Sequence, residues 1–145
     1  MEDGPEEIGT PYAPQALGAY SQAVKAGGFV FVSGQLGIDP DTGELVEGTA
    51  ADQATQALKN VKNILDAAGT GMEKVVKATI LMRRVEDFTE VDQAYSQVFI
   101  GSVRPARVAF GGADIPKGGP GRDRGRGPGL RQVGCWSPPS LDLRA

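Results

Sequence analysis

The stretch Ala54-Thr-Gln-Ala-Leu-Lys-Asn-Val-Lys-Asn-Ile-Leu-Asp-Ala-Ala68, stopped by Gly69 and followed by Val75-Val-Lys-Ala-Thr-Ile-Leu-Met82, decides the architecture. Ala54, Ala57, Leu58, Val61, Leu65 and Ala68 recur at the i, i+3, i+4, i+7 spacing of an amphipathic helix, with Lys59, Lys62, Asn63 and Asp66 on the wet side. The β-branched run after it reads as a strand lying against that helix. Upstream, Tyr20-Ser-Gln-Ala-Val-Lys25 can be extended, and Ala26-Gly-Gly28 supplies a hairpin turn into Phe29-Val-Phe-Val-Ser-Gly-Gln-Leu36. Apolar groups on both faces of that segment predict an interior strand. Asp39-Pro-Asp-Thr-Gly43 is a turn, with Pro40 presetting φ and Gly43 free to take a positive φ, and Glu44-Leu-Val46 follows as a short return strand. Downstream, Asp87 with Glu90 predicts a capping box that opens a second helix, whose Val91, Tyr95, Val98 and Phe99 face inward. After Pro105, Ala106-Arg-Val-Ala-Phe110 is a strand. The order β-β-β-α-β-α-β gives an α+β fold, a mixed sheet with two helices on one face.

The chain divides into residues 1–9, a flexible acidic leader; residues 10–119, the compact domain; and residues 120–145, a tail rich in Gly, Pro and Arg with no hydrophobic period, expected to be disordered. Charge divides with it. Residues 1–119 hold ten basic and sixteen acidic side chains, net −6, and residues 120–145 hold five arginines against Asp123 and Asp142, net +3. There is no histidine and Cys135 is the single cysteine, which excludes a zinc site of the usual ligands, a Ser-His-Asp or Cys-His pair and any disulfide within the chain. The leader is acidic where targeting presequences are basic, and no apolar run approaches a membrane span, so a cytoplasmic protein is expected, with a mitochondrial or plastid location as the alternative.

Arg107 is the leading candidate for chemistry, because a guanidinium in a strand of mixed burial can pair a planar carboxylate through two parallel hydrogen bonds. On its own it also fits a rim arginine in an ion pair. Tyr20 alone fits a half-buried sheet residue, and Ser33-Gly34 a strand bulge. Taken with Gly18-Ala-Tyr20-Ser-Gln-Ala-Val24, Phe31-Val-Ser-Gly-Gln35, Ala57-Leu-Lys-Asn60, Val75-Val-Lys-Ala-Thr79, Asp87-Phe88 and Pro105-Ala-Arg107 with Ile115-Pro-Lys-Gly118 after it, these residues form an ordered set. That set resembles the RidA/YjgF family of reactive imine deaminases, over residues 10–117.

The resemblance implies a chorismate-mutase-like protomer, a homotrimer with active sites between subunits, and hydrolysis of small-molecule 2-imino acids, released by pyridoxal-phosphate-dependent dehydratases, to 2-oxo acids and ammonia, without metal or cofactor. It assigns the grip on the substrate carboxylate to Arg107, the lining of the cleft to Tyr20, and the loop facing the imine carbon and side chain to Ser33 and Gly34. Asp92 stands where the family usually has asparagine. An ionised Asp accepts but cannot donate, so it either repels a substrate carboxylate or pairs with a nearby arginine.

The larger departure is the end of the chain. The family continues into a strand close to Leu-Val-Glu-Ile-Glu-Ala-Val-Ala, whose glutamate is the proposed activator of water, where this chain has Pro120-Gly-Arg-Asp-Arg-Gly-Arg-Gly127. Skipping the first base of the Pro120 codon turns CCN-GGN-CGN-GAY-CGN-GGN-CGN-GGN into triplets that admit those eight family residues in order. A shifted reading frame from Gly119 onward is the resulting hypothesis, and the literal chain, lacking an interior strand, is expected to be poorly folded or inactive. The rival class is a nucleic-acid binder, since Arg122, Arg124, Arg126 and Arg131 are spaced among glycines and the resemblance carries a translation-inhibiting ribonuclease activity as a minor possibility. The acidic domain opposes a phosphate backbone, and Gly111-Gly-Ala-Asp-Ile-Pro-Lys117 lacks phosphate-loop spacing.

Overall fold

The computed structural model of the chain describes residues 4–113 and 130–134. Its elements run β1 (Glu6–Ile8), β2 (Ala23–Ala26), β3 (Phe29–Val32), α1 (Ala50–Ala67), β4 (Lys77–Met82), α2 (Phe88–Val98), β5 (Ala106–Phe110) and β6 (Leu130–Gly134). They form an antiparallel sheet in the order β1-β2-β3 and a mixed sheet in the order β5-β4-β6, with β4 parallel to β5 and antiparallel to β6. This is the expected α+β class.

The two-residue turn between β2 and β3 uses Gly27 and Gly28 at φ 60° and 82°, the pair of positive values a tight hairpin needs. Helix α1 opens on a capping box, Thr49 accepting from the Asp52 amide and the Asp52 carboxylate accepting from the Thr49 amide. Leu58, Val61, Ile64 and Leu65 on α1 are fully buried with Val30 and Val32 of β3, Ile80 and Met82 of β4 and Val91 of α2, so one core joins both sheets and both helices. Burying each of these side chains stabilises the fold by about 1.5–3 kcal/mol.

Several sequence expectations are corrected. Within the expected leader, Glu6–Ile8 is a strand that pairs with β2 and buries Ile8; two glutamates ahead of a single isoleucine concealed a strand with one inward position. Among the described residues β3 pairs with β2 alone, where an interior strand is expected, with Phe29 and Phe31 half-buried on its second face. The return strand at residues 44–46 reduces to one bridge, Ile38 to Leu45, closed by the Asp39 turn, where the Gly43 amide donates to the Asp39 carbonyl at 2.8 Å. Asp87 makes no side-chain cap on α2; its carboxylate accepts from Nη2 of Arg84 at 3.0 Å, and that bond, then the charge of Asp87, raise the Arg84 pKa.

The tail is corrected in one place. Leu130–Gly134 is a strand on the open edge of β4, with Ile80 opposite Val133 and an irregularity between Leu81 and Met82. Ladder bonds belong to the backbone, so a stretch needs free amides more than a hydrophobic pattern. Leu130-Arg-Gln-Val133 has no proline, whereas Pro128 and the Pro138-Pro139 pair flank it. The remainder of residues 120–145, including Cys135, lies outside the described residues.

Candidate functional site

Strand β5 sets Arg107 opposite Ala78 of β4, and the side chain leans on α2. Phe88, Asp92 and Tyr95 fall at i, i+4 and i+7 of that helix, on one face, and together make its seat. The guanidinium carbon lies 4.8 Å from the Tyr95 ring centroid and 5.2 Å from that of Phe88. Nη1 donates to Oδ1 of Asp92 at 2.6 Å. The ion pair thus takes the pairing branch of the two readings of Asp92. Nε and Nη2 of Arg107 bond to nothing among the described residues, so the edge that offers two parallel donors stays available.

The side chain of Arg107 is 26% exposed and that of Asp92 45%, so the pair is wet and contributes on the order of 0–1 kcal/mol to stability. Its value is orientation. Stacking on two rings and a bond at one nitrogen fix the plane of the fork before any ligand arrives. Beside it lies a cavity of about 380 Å³, lined by Asp92, Tyr95, Ser96, Arg104, Pro105 and Arg107.

Tyr20, Ser33 and Gly34 sit elsewhere. Tyr20 is exposed, its hydroxyl accepting from the Leu17 amide at 3.4 Å, and with Gly34 it lines a second cavity of about 380 Å³ beside Gln35 and Leu36. The two cavities share no lining residue. Ser33 lines neither of them; its hydroxyl donates to the Ser21 carbonyl at 2.6 Å and its amide to the Gln22 carbonyl at 2.9 Å, which ties the end of β3 to β2. The structure therefore joins Arg107 with Asp92 and leaves the Tyr20 and Gly34 group apart from them within one chain.

Two buried amides hold that second group. Asn60 on α1, fully buried, donates from Nδ2 to the carbonyls of Leu36 and Ile38 at 3.1 and 2.9 Å, and its Oδ1 accepts from Gln56 at 2.9 Å. The loop runs so near α1 that a Cβ on Gly37 would stand 2.7 Å from the Gln53 carbonyl oxygen. Gln22 accepts from the Thr10 amide at 2.7 Å and donates to the carbonyls of Thr10, Ala13 and Pro14. Neither amide stands out in the sequence, although Gln22 lies within the segment 18–24 and Asn60 ends the segment 57–60. Arg104, Phe88 and Tyr95 were also missed as site residues; the helical spacing of Phe88, Asp92 and Tyr95 was the signal for two of them.

Among the described residues no three His, Cys, Asp or Glu side chains gather as metal ligands, and no helix is long and apolar enough to cross a membrane.

Known proteins resemble the chain closely. The family model described as Endoribonuclease L-PSP matches residues 10–120. The chain is 49% identical over 112 residues to the 2-iminobutanoate/2-iminopropanoate deaminase of Bos taurus, covering 77% of this chain and 81% of that protein, and 46% identical over 112 residues to a RutC family protein of Pyrococcus horikoshii, covering 77% and 88%. The crystal structure of RidA from an Antarctic Psychrobacter superposes with a TM-score of 0.76 at 38% identity, covering 88% of this chain and 94% of that one. Escherichia coli TdcF, solved with bound serine, gives 0.74 at 32% identity, covering 88% and 92%. On the family match and these relatives, the chain belongs to the RidA family, the one whose model is described as Endoribonuclease L-PSP.

Proposed function

We propose that this protein hydrolyses reactive 2-imino acids to 2-oxo acids and ammonia, with Arg107 holding the substrate carboxylate. The observation that carries the reading is the Arg107 fork, seated on Phe88 and Tyr95, tied by one nitrogen to Asp92 and open along the edge that matches a carboxylate. Relatives named 2-iminobutanoate/2-iminopropanoate deaminase at 47–49% identity support the substrate class. Water adds to the imine carbon, a proton passes to nitrogen, the C–N bond breaks, and the carbonyl forms as ammonia leaves. An iminium carbon is already electrophilic, so holding the carboxylate and placing one water supplies acceleration through orientation.

Tyr20 and Gly34 line a different cavity from Arg107, which supports a cleft completed by a second copy of the chain; the family resemblance makes that assembly a homotrimer. In that arrangement Tyr20 closes the cleft and the Ser33-Gly34 loop faces the substrate side chain. The protein works in the cytoplasm and uses no metal or cofactor.

The water activator is the weak element. Strand β6, Leu130-Arg-Gln-Val-Gly134, contains no acid. The family match ends at residue 120, which supports a reading frame lost near Gly119; the in-frame chain would regain a glutamate in its last strand and be the faster enzyme. The test feeds 2-iminobutanoate, generated in place by a threonine dehydratase, to the 145-residue chain, its in-frame counterpart and Arg107→Ala in each. We expect the in-frame chain to lead and Arg107→Ala to lose about hundredfold in kcat/KM. Equal rates with and without Arg107 would sink the reading. For the ribonuclease alternative, the net −6 of residues 1–119 opposes a phosphate backbone.

A further inference from the structure

Arg107 is not the only cation of its cavity. Arg104, three residues earlier and just before Pro105, lines the same space of about 380 Å³. Its Nε donates to the Phe99 carbonyl at 3.1 Å, where the chain leaves α2, and both its terminal amino groups are without partners among the described residues. The one acid in the lining, Asp92, is engaged with Nη1 of Arg107. Two guanidinium groups against one carboxylate leave the lining with a single positive charge in excess.

The excess changes what Asp92 means. Taken alone, an acid beside the carboxylate fork cancels the net charge that would draw an anionic ligand, because Arg107 must serve two anions at once. Arg104 restores the missing charge. A ligand with one carboxylate brings the group of Arg104, Arg107 and Asp92 to neutrality, and a ligand with two overshoots it by one.

We propose that Arg104 and Asp92 act as a compensating pair: Arg104 is a second anion-binding residue, and together they set the cavity to accept a ligand carrying one negative charge, a 2-imino or 2-oxo monocarboxylate, over a dicarboxylate. The proposal rests on Arg107 as the carboxylate fork and adds the charge rule around it. All three side chains reach solvent, so each charge is worth less than in a closed site, and a change of one unit alters affinity about three- to tenfold.

Calorimetric titration of the 145-residue chain with 2-oxobutanoate and with 2-oxoglutarate tests this, since binding does not depend on a water activator. Arg104→Gln removes the excess charge and is expected to weaken 2-oxobutanoate about three- to tenfold, with Arg104→Lys close to the parent. Asp92→Asn raises the excess to two and shifts preference toward 2-oxoglutarate by a similar factor. Asp92→Asn combined with Arg104→Gln restores an excess of one and should return 2-oxobutanoate affinity to within about twofold of the parent, which mere loss of the Phe99 bond would not do. Should Arg104→Gln melt early, the shift in Asp92→Asn alone decides. Unchanged affinity in Arg104→Gln beside its loss in Arg107→Ala, or a double variant weaker than Arg104→Gln, overturns the pair while leaving the fork intact. Unchanged binding in Arg107→Ala removes the fork itself, and the charge rule with it.

Discussion

Arg107 stands on a strand and leans on a helix, whereas Tyr20 and Gly34 stand on loops that two buried amides pin in place. The first region takes its precision from regular structure. Hydrogen-bond ladders fix β5 against β4, and the helical period brings Phe88, Asp92 and Tyr95 under one guanidinium. Among the described residues the second has only an isolated bridge, Ile38 to Leu45, beyond the end of β3, and carbonyls there receive donors from Asn60 and Gln22. The two regions should therefore fail differently, one through loss of sheet and the other through loss of a single side chain.

The widest break is in the sheet. Strand β6 covers the second edge of β4, Thr79 to Met82, and lies beside α1. Ending the chain at Gly119 strips that edge of its partner, a loss of about 3–5 kcal/mol from a few ladder bonds at about 1 kcal/mol each, against a total stability of about 5–15. Urea unfolding of the two lengths should show the midpoint falling in the shorter one. Matching midpoints would mean that β6 adds nothing to the sheet.

The next break is confined to the loop side. Asn60→Ala leaves the buried Ile38 carbonyl and the partly buried Leu36 carbonyl without their donor, and opens a small void in α1's packing. The expected loss is about 2–3 kcal/mol. Hydrogen exchange separates the regions: amides of residues 33–38 should speed up while those of residues 88–98 keep their protection. Equal acceleration in both would show that the loop and the Arg107 seat share one cooperative unit.

The same contrast explains what the sequence showed of the molecule. Helix α1, the Gly27-Gly28 hairpin, β4 and β5 were legible because each carries a period or a turn residue. So was Arg107, through the family segments and its place in β5. Strand β1 was not, since three residues with one apolar position have no period, and β6 was not, since its pairing depends on a vacant edge contributed by β4. Asn60 and Gln22 look like any polar residue until the carbonyls they serve are seen, as those lie 8 to 24 residues away along the chain. On sequence alone Asp92 can repel a ligand or pair with an arginine, and only geometry chooses between them.

Gln22 offers the finest cut through the comparison. Its amide closes the loop at residues 10–14, giving to three carbonyls and accepting from one amide, but two of the carbonyls and that amide lie in partly buried surroundings where water can replace the side chain. Gln22→Ala should therefore cost only about 1 kcal/mol, less than Asn60→Ala although more bonds are lost. Gln22→Glu is the sharper variant. A carboxylate still accepts from Thr10 yet has nothing to donate to the carbonyls of Thr10, Ala13 and Pro14, so it sets negative charge against their oxygens in a residue that is 7% exposed. It should destabilise more than alanine does, and the gap should narrow as falling pH protonates the acid and returns a donor. If Gln22→Glu instead melts above Gln22→Ala at neutral pH, the donor side of the clamp carries no weight, and the loop before Tyr20 is held by the Thr10 amide alone.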